Sequence, residues 1–245
     1  MKTEHPNAEW FENWFNETYL ALYAHRDEQQ ALKQVQSLCK TIDLPKNAVV
    51  LDAACGCGRH MKQFRDRGVS VVGFDLSETL IRQTKNESLA CVRADMRHIP
   101  FRKDLFDYIT CFFSSFGYLA TQADDKLVLE EFKQLLKPGG GIFLDLLNKV
   151  YLLEHLVDQD EQQIHGKQVL QERSVTDNKV IKHITITDGT KTEHYMERLR
   201  LFTLEEMQAM CSSLGLVIAH IFGDEYGADY QGDTSPRMAL VIKSC

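Results

Sequence analysis

Three acidic residues hold equivalent places in the first half of the chain, each at the end of an apolar run suited to a buried strand. Asp52 ends VVLD, Asp75 ends VSVVGFD and Asp95 ends ACVRAD. Because the carboxyl ends of parallel strands meet at one edge of a sheet, we expect the three carboxylates at that edge. There they can accept hydrogen bonds from an ammonium group, from ribose hydroxyls and from an adenine amino group.

A Gly-x-Gly turn links the first of these strands to a helix. In LDAACGCGR, Gly56 and Gly58 follow the strand, and a helical pattern begins near Arg59. Glycine lacks the Cβ atom that would keep a ligand from the backbone, and the free N–H groups of the first helical turn point toward the ligand. We therefore expect a flat or anionic group to bind at this turn.

Two classes of cofactor use such a turn, and the residue types separate them. A dinucleotide site requires a third small residue, where this chain has Met61. Asp52 would repel a diphosphate and attract an ammonium group. S-adenosylmethionine carries an ammonium group and no phosphate, so the residues favour it over NAD. We predict that Asp52 meets the ammonium group and Asp75 the ribose, with Asp95 and Met96 at the adenine.

Five segments, LDAACGCGR, GFDLS, RADMRHIPF, FDYITCFFSSFGYL and LKPGG, resemble in order the motifs of the class I S-adenosylmethionine-dependent methyltransferases over about residues 47–147. SPRMALVIK resembles that family's closing hairpin. The resemblance implies an α/β fold: a doubly wound, seven-stranded, mostly parallel sheet with an antiparallel last strand and an N-terminal helical lid. It also implies S-adenosyl-L-homocysteine as the product. The full set of predicted cofactor contacts is Asp52, Ala53, Cys55, Gly56, Gly58, Arg59, Asp75, Leu76, Ser77, Asp95, Met96, Ser114 and Tyr19.

The chain reads as a single methyltransferase domain with four parts. Residues 1–46 form a helical cover, in which spacing predicts two helices, and residues 47–147 form the cofactor-binding core. Residues 150–202 form an antiparallel β insertion, predicted to have three strands, that in this family often roofs the acceptor pocket. Residues 203–245 form a closing helix and hairpin, the helix beginning at the capping box of Thr203 and Glu206.

The loop after the fourth strand, FFSSFGYL, should lie beside the transferred methyl group, because ligands bind at the carboxyl ends of the strands. The Asn/Asp-Pro-Pro-Tyr/Phe signature of enzymes that methylate planar exocyclic amines is absent, as is any Pro-Cys dipeptide. Structural alternatives stay open: the serines could cap the strand, and Arg198 could form ordinary ion pairs. The predicted acceptor contacts are Tyr23, Ser115, Phe116, Tyr118, Asn148, Arg198, Tyr230 and Arg237.

Methyl transfer from a sulfonium mainly requires alignment of donor and acceptor at about 3 Å and exclusion of water. A general base is needed only when the nucleophile arrives protonated. The candidates for such a base are His25, Tyr118, Asp145 and Asp229.

Composition narrows the choice of acceptor and location. A formal net charge of −7 gives no overall basic field, which argues against nucleic acid or an anionic membrane as partner. No apolar run approaches the ~18 residues of a membrane span, and the N-terminus lacks a signal-peptide pattern, so we expect a cytoplasmic protein. The seven cysteines are scattered and should be reduced. No histidine spacing predicts a metal site; Cys55, Cys57 and His60 have no fourth ligand nearby.

The function predicted from the sequence is methyl transfer to an N, O or S atom of a small molecule. Two alternatives remain at this stage: a methyltransferase acting on tRNA or protein, and a protein that binds S-adenosylmethionine without catalysis. The sequence leaves the acceptor and the oligomeric state open.

Overall fold

A computed structural model describes residues 9–24 and 28–244. Within them the helices are α1 (Trp10–Trp14), α2 (Glu17–Leu22), α3 (Glu28–Ile42), α4 (Arg59–Arg65), α5 (Glu78–Asn86), α6 (Gln122–Leu135), α7 (Lys149–Glu154) and α8 (Leu204–Ser213). The strands are β1 (Val49–Ala53), β2 (Ser70–Asp75), β3 (Cys91–Arg93), β4 (Phe106–Cys111), β5 (Leu136–Leu147), β6 (Gln159–Ile164), β7 (Lys167–Thr176), β8 (Lys179–Asp188), β9 (Lys191–Arg200), β10 (Leu216–Phe222) and β11 (Arg237–Ser244).

Seven strands form the central sheet in the order β3-β2-β1-β4-β5-β11-β10. Strand β1 pairs in parallel with β2 and β4, and β11 runs antiparallel to β5 and β10. Four of the five residues of VVLDA in β1 are buried, as expected of a central strand covered by helices on both faces. The predicted fold, a doubly wound sheet with an antiparallel last strand, is confirmed.

The strand register brings the acidic residues to one edge. Asp52 pairs with Gly73 one residue before β1 ends, and Asp75, the last residue of β2, pairs with Arg93 of β3. Asp95 follows β3 by two residues. The three carboxylates therefore lie at the carboxyl edge of the sheet, as parallel pairing requires.

Local sequence signals place the helix starts that follow these strands. Gly58 precedes α4 with φ +83°, and a Cβ there would lie 2.7 Å from Leu89 Cδ1, so both conformation and space require glycine. The Ser77 hydroxyl caps α5 by accepting a hydrogen bond from the Leu80 N–H. The predicted capping box of Thr203 begins α8.

The N-terminal cover differs from the sequence prediction of two helices. Three helices form there because Asn16 interrupts the first: its side chain accepts hydrogen bonds from the N–H groups of Thr18 and Tyr19 and caps a new helix. Together α1 and α2 form the lid over the carboxyl edge of the sheet.

The β insertion has four strands, in the order β6-β7-β8-β9, where three were predicted. The additional strand, β6, is QDEQQI, whose polar residues gave no alternation of apolar and polar positions. It pairs with β7 at the edge of the sheet, where exposed polar side chains are tolerated. Within the described part of the chain, no helix combines the length and apolarity that crossing a membrane demands.

Candidate functional site

A cavity of about 260 Å³ lies under the lid at the carboxyl edge of the sheet. Its lining comes from the lid, from the ends of β1, β2 and β3 with the turns that follow, and from the loop after β4. The lining residues are Phe11, Phe15, Tyr19, Leu20, Tyr23, Ala24, Ala54, Cys55, Gly56, Cys57, Arg59, His60, Phe74, Asp75, Leu76, Leu80, Ala94, Asp95, Met96, Phe112, Phe113, Ser115, Tyr118 and Leu119.

The glycine turn bounds one side of this cavity with bare backbone. Ala54 and Gly56 have φ values of +53° and +56°. The Gly56 N–H donates to Asp75 Oδ2 at 2.8 Å, which ties the turn to the end of β2. At Gly56, which lines the cavity, no side chain stands between the main chain and a closely approaching ligand.

Asp75 is buried, yet it lines the cavity. Its two oxygens accept hydrogen bonds from the N–H groups of Gly56 and Ser77, both at 2.8 Å. Burial raises the pKa of this carboxyl above its ordinary value, and the backbone hydrogen bonds oppose that rise. Each carboxylate oxygen can accept more than one hydrogen bond, so Asp75 retains the capacity to receive two ribose hydroxyls.

Asp95 lines the cavity together with Met96. Arg97 holds the Asp95 carboxylate through Nε at 2.9 and 3.1 Å and also pairs with Glu9 at 2.7 Å, where the lid begins. Burial acts to raise the pKa of Asp95, but the hydrogen bonds from Arg97 hold it below its ordinary value. An ionised, fixed acceptor therefore lies beside a thioether, a combination suited to an adenine amino group and its ring.

Asp52 is 1% exposed and is not one of the lining residues. Its Oδ1 accepts a hydrogen bond from the Thr110 hydroxyl at 2.9 Å, and its Oδ2 has no hydrogen-bond partner among the described residues. Burial raises the pKa of Asp52 to about 7; the Thr110 hydrogen bond opposes this, the Asp75 charge adds to it, and Arg59 opposes it. Asp52 is therefore a buried carboxyl with one unpartnered oxygen that lies outside the cavity lining.

The predicted cofactor residues divide into two groups. Those that line the cavity are Tyr19, Cys55, Gly56, Arg59, Asp75, Leu76, Asp95 and Met96. Those that do not are Asp52, Ala53, Gly58, Ser77 and Ser114. Ala53 is buried in β1, and its neighbour Ala54 reaches the cavity instead. The Ser77 hydroxyl is used in capping α5 and in donating to the Phe15 carbonyl.

Among the predicted acceptor residues, Tyr23, Ser115 and Tyr118 line the cavity. Phe116 does not, because its ring is 1% exposed and packs in the core against Phe202, with centroids 5.6 Å apart.

The other predicted acceptor residues also lie outside the cavity lining. The Asn148 side chain is fixed by donating to the carbonyls of Gly232 and Ser235, both at 2.8 Å. Arg198 belongs to the insertion and Tyr230 to the loop before β11, and neither reaches the cavity.

Among the other candidates for a general base, the described residues Asp145 and Asp229 do not line the cavity. Asp145 is buried and accepts from Arg237 Nε at 2.8 Å, and Arg237 also donates to the Ser114 hydroxyl at 2.8 Å. Asp229 forms a backbone bridge with Phe222. His25 lies outside the described residues. Of the three candidates within the described residues, Tyr118 is the one that lines the cavity.

The insertion does not roof the cavity as expected, since none of its described residues lines it. It binds the outer face of the lid instead, where Trp14 packs on Tyr195 with centroids 4.7 Å apart. Glu197 accepts hydrogen bonds from Trp14 Nε1 at 2.7 Å and from the Tyr23 hydroxyl at 2.8 Å, and it pairs with Lys182 at 2.7 Å. We call Trp14, Tyr23, Lys182 and Glu197 the latch.

Sequence reasoning missed His60 as a lining residue. It lies in the first turn of α4, and its ring stacks on Phe112 with centroids 3.8 Å apart and planes 3° apart. Its Nε2 lies 2.8 Å from Gln34 Oε1. Burial, with a smaller effect of Arg59, sets the pKa of His60 well below its ordinary value. Its place directly after Arg59 at the helix start was the available signal.

A thiol pair also adjoins the glycine turn. Cys55 Sγ and Cys91 Sγ are 3.3 Å apart, and Cys55 lines the cavity. The hydrogen bond between the thiols and burial raise the pKa of Cys55, and the same hydrogen bond lowers that of Cys91. The thiol at Cys91 is therefore the one more readily ionised.

Residues 50–140 match the family model described as a methyltransferase domain. A dTDP-3-amino-3,6-dideoxy-alpha-D-glucopyranose N,N-dimethyltransferase of Streptomyces fradiae is 35% identical over 103 residues, 41% of this chain and 40% of that protein. A dTDP-3-amino-3,4,6-trideoxy-alpha-D-glucopyranose N,N-dimethyltransferase of Streptomyces venezuelae is 25% identical, covering 75% of this chain and 81% of that protein. The crystal structure of an S-adenosylmethionine-dependent methyltransferase from Clostridium acetobutylicum ATCC 824 superposes with a TM-score of 0.78 at 19% identity, covering 93% and 96% of the two chains.

Proposed function

We propose that this chain, a class I S-adenosylmethionine-dependent methyltransferase, transfers the methyl group to an aliphatic amine of a small molecule held under the lid. The observation that carries the proposal is the cavity itself. Residues predicted to bind the cofactor line it at the strand ends, and aromatic side chains of the lid line it from the other side. Its volume is about 260 Å³.

The cofactor half uses the residues at the strand ends. We assign Asp75 to the ribose hydroxyls, Asp95 and Met96 to the adenine, and the bare backbone at Gly56 to the methionyl part. When bound, S-adenosylmethionine supplies an electrophilic methyl group and a neutral leaving group. The chain's own task is then to hold this group still and to keep water away from it.

The acceptor half is aromatic. Tyr19, Tyr23, Phe15 and Tyr118 line it, and Phe15 stacks on Tyr118 with centroids 5.9 Å apart. Aromatic faces attract an amine or its ammonium form by cation–π interaction and shield the methyl transfer from water. Under a lid made of two short helices, such a cavity favours a small acceptor over tRNA or protein.

The chemistry named for two of the similar proteins supports this acceptor class. The Streptomyces fradiae and Streptomyces venezuelae proteins are named as N,N-dimethyltransferases of amino sugars, whose amines are aliphatic. The absence of the Asn/Asp-Pro-Pro-Tyr/Phe signature agrees, because that signature orients planar amines. Of the described residues that line the cavity, one, Arg59, is a cation. The likeness to these enzymes therefore supports the amine of the acceptor and not the diphosphate that their named substrates carry.

The test is a competition between acceptor classes. Purified protein with radiolabelled S-adenosylmethionine is offered panels of small aliphatic amines, carboxylates and thiols, bulk tRNA and unfolded protein. We expect label transfer to an amine, rising with pH as the ammonium form of the acceptor loses its proton, because only the neutral amine is nucleophilic. Transfer confined to carboxylates, thiols, tRNA or protein would overturn the proposed acceptor class. An Asp75→Asn variant serves as the cofactor-site control and should transfer little label to any acceptor.

A further inference from the structure

The His60 ring is fixed in the cavity wall by its neighbours. It is 5% exposed, lines the cavity, stacks on Phe112 and lies 5.5 Å from the Phe113 ring. Its first-turn position in α4 places it directly after Arg59 and close to the glycine turn. A ring held on a flat aromatic neighbour presents its two nitrogens in fixed directions.

The hydrogen bonds behind the ring determine which nitrogen carries the proton. Gln34 Nε2 donates to Glu225 Oε2 at 3.3 Å, and Gln30 Nε2 donates to the same carboxylate at 3.0 Å. The Gln34 amide is thereby oriented with Oε1 toward His60 Nε2, at 2.8 Å. An amide oxygen only accepts, so His60 Nε2 must be the protonated nitrogen.

The second nitrogen is then a hydrogen-bond acceptor. Because the neutral ring has its proton on Nε2, Nδ1 carries a lone pair, and it forms no hydrogen bond with any residue in 9–24 or 28–244. Burial and the adjacent Arg59 keep the ring from taking a second proton. His60, which carries this neutral acceptor nitrogen, and Arg59, which carries a cationic guanidinium group, both line the cavity beside the glycine turn.

That pairing matches the amino-acid end of the cofactor, an ammonium group and a carboxylate on one carbon. We infer that His60 Nδ1 accepts a hydrogen bond from the methionyl ammonium group while neighbouring Arg59 faces the carboxylate. The inference rests on the proposed function, since it requires S-adenosylmethionine in this cavity. It replaces Asp52, the residue predicted from the sequence, which lies outside the lining. His60 is thus a cofactor-binding and orienting residue.

The test compares two ligands and two variants by calorimetry. S-adenosylhomocysteine carries the amino-acid end, and 5′-methylthioadenosine is the same adenosyl thioether without it. In His60→Asn the short amide can put an oxygen near the place of Nδ1, whereas in His60→Gln the amide reaches the place of Nε2. We expect His60→Gln to weaken S-adenosylhomocysteine binding at least about tenfold and to leave 5′-methylthioadenosine binding unchanged. His60→Asn should retain most of the affinity.

A measurement on the unaltered protein gives a second test. With 15N-labelled histidine, the Nδ1 resonance of His60 should move toward the hydrogen-bonded position on adding S-adenosylhomocysteine and stay in place on adding 5′-methylthioadenosine.

Four outcomes would overturn the inference. One is an equal loss of affinity for both ligands in His60→Gln, which indicates a purely structural role. The second is unchanged S-adenosylhomocysteine affinity in that variant, and the third is an unmoved Nδ1 resonance. The fourth is a wild-type protein that binds neither ligand; this result, unlike the other three, would overturn the proposed function as well.

Discussion

Replacing Asp52 by Asn should stabilise the ligand-free protein at pH 8. The Asp52 carboxyl is 1% exposed, and one of its oxygens has no hydrogen-bond partner among the described residues, so its ionised form is poorly solvated. At alkaline pH the unfolded chain ionises this group freely, while the folded chain must either ionise it in the interior or keep its proton. Asparagine has nearly the same shape and no charge.

The size of the effect follows from the pKa values. Asp52 has an ordinary pKa of 3.8, which burial raises to about 7 in the folded protein. Its contribution to stability is fully present below pH 3.8 and is lost as the pH rises through about 7. The loss is at most 3.2 pKa units of 1.36 kcal/mol each, about 4 kcal/mol. The buried amide of Asp52→Asn would itself lack some hydrogen-bond partners, which offsets part of this gain. We therefore expect the free energy of unfolding of Asp52→Asn at pH 8 to exceed that of wild type by about 2–3 kcal/mol.

Urea unfolding at pH 5 and pH 8 measures this directly. From pH 5 to pH 8, the free energy of unfolding of the wild type should fall relative to that of Asp52→Asn. At pH 5 the two proteins should have nearly the same free energy of unfolding. Asp104→Asn, at an exposed position with φ +54° that asparagine tolerates, is the matched control and should follow wild type. If Asp52→Asn is no more stable than wild type at pH 8 and shows the same pH slope, Asp52 is ionised at ordinary pH and the reasoning fails.

Three further predictions concern the cavity and its lid. Asp75→Asn should weaken S-adenosylhomocysteine binding about tenfold or more by calorimetry, because a carboxylate bound to two hydroxyls is worth roughly 1.5–3 kcal/mol; unchanged affinity would remove Asp75 from the ribose site. Glu197→Gln should loosen the latch, so amide hydrogen exchange in α1 and α2 should be faster than in wild type, while exchange in α8 stays the same. If α1 and α2 exchange at the wild-type rate in this variant, the latch does not hold the lid. Diamide should oxidise Cys55 and Cys91 to a disulfide, with the diamide taking up the two hydrogens. S-adenosylhomocysteine binding should then fall and should recover when dithiothreitol is added. The Cys91→Ser variant should keep its binding in diamide; an equal loss in this variant would show that the effect arises at another site.

The sheet and its carboxyl edge were predictable from the sequence because they depend on local, repeated signals. Strand β1 begins with the apolar run VVL, and the capping box at Thr203 marks the start of α8 from two residues alone. The places of Asp75 and Asp95 at the cavity follow from the parallel register. These features can be predicted without knowing which distant segments of the chain pack together.

The acceptor side was harder to predict because it depends on long-range packing. Arg237 carries the polar type expected of a binding residue, but it meets Asp145 across paired strands 92 positions away. Phe116 lies two residues from cavity-lining Tyr118 yet turns into the core. His60 reaches the cavity because α3 packs on α4 and supplies Gln34. None of these long-range contacts leaves a pattern in neighbouring residues; for His60, the place after Arg59 at the start of α4 indicates the glycine turn but not the contact with Gln34.

The latch has a consequence for the order of events during turnover. Tyr23 belongs both to the cavity wall and to the hydrogen bonds of Glu197, so the lid cannot lift without parting from the insertion. Any exchange of ligand that requires the lid to lift would first break the hydrogen bonds of Glu197 to Trp14 and Tyr23. Lid opening for the departure of S-adenosylhomocysteine, and not the methyl transfer itself, would then limit the rate of turnover.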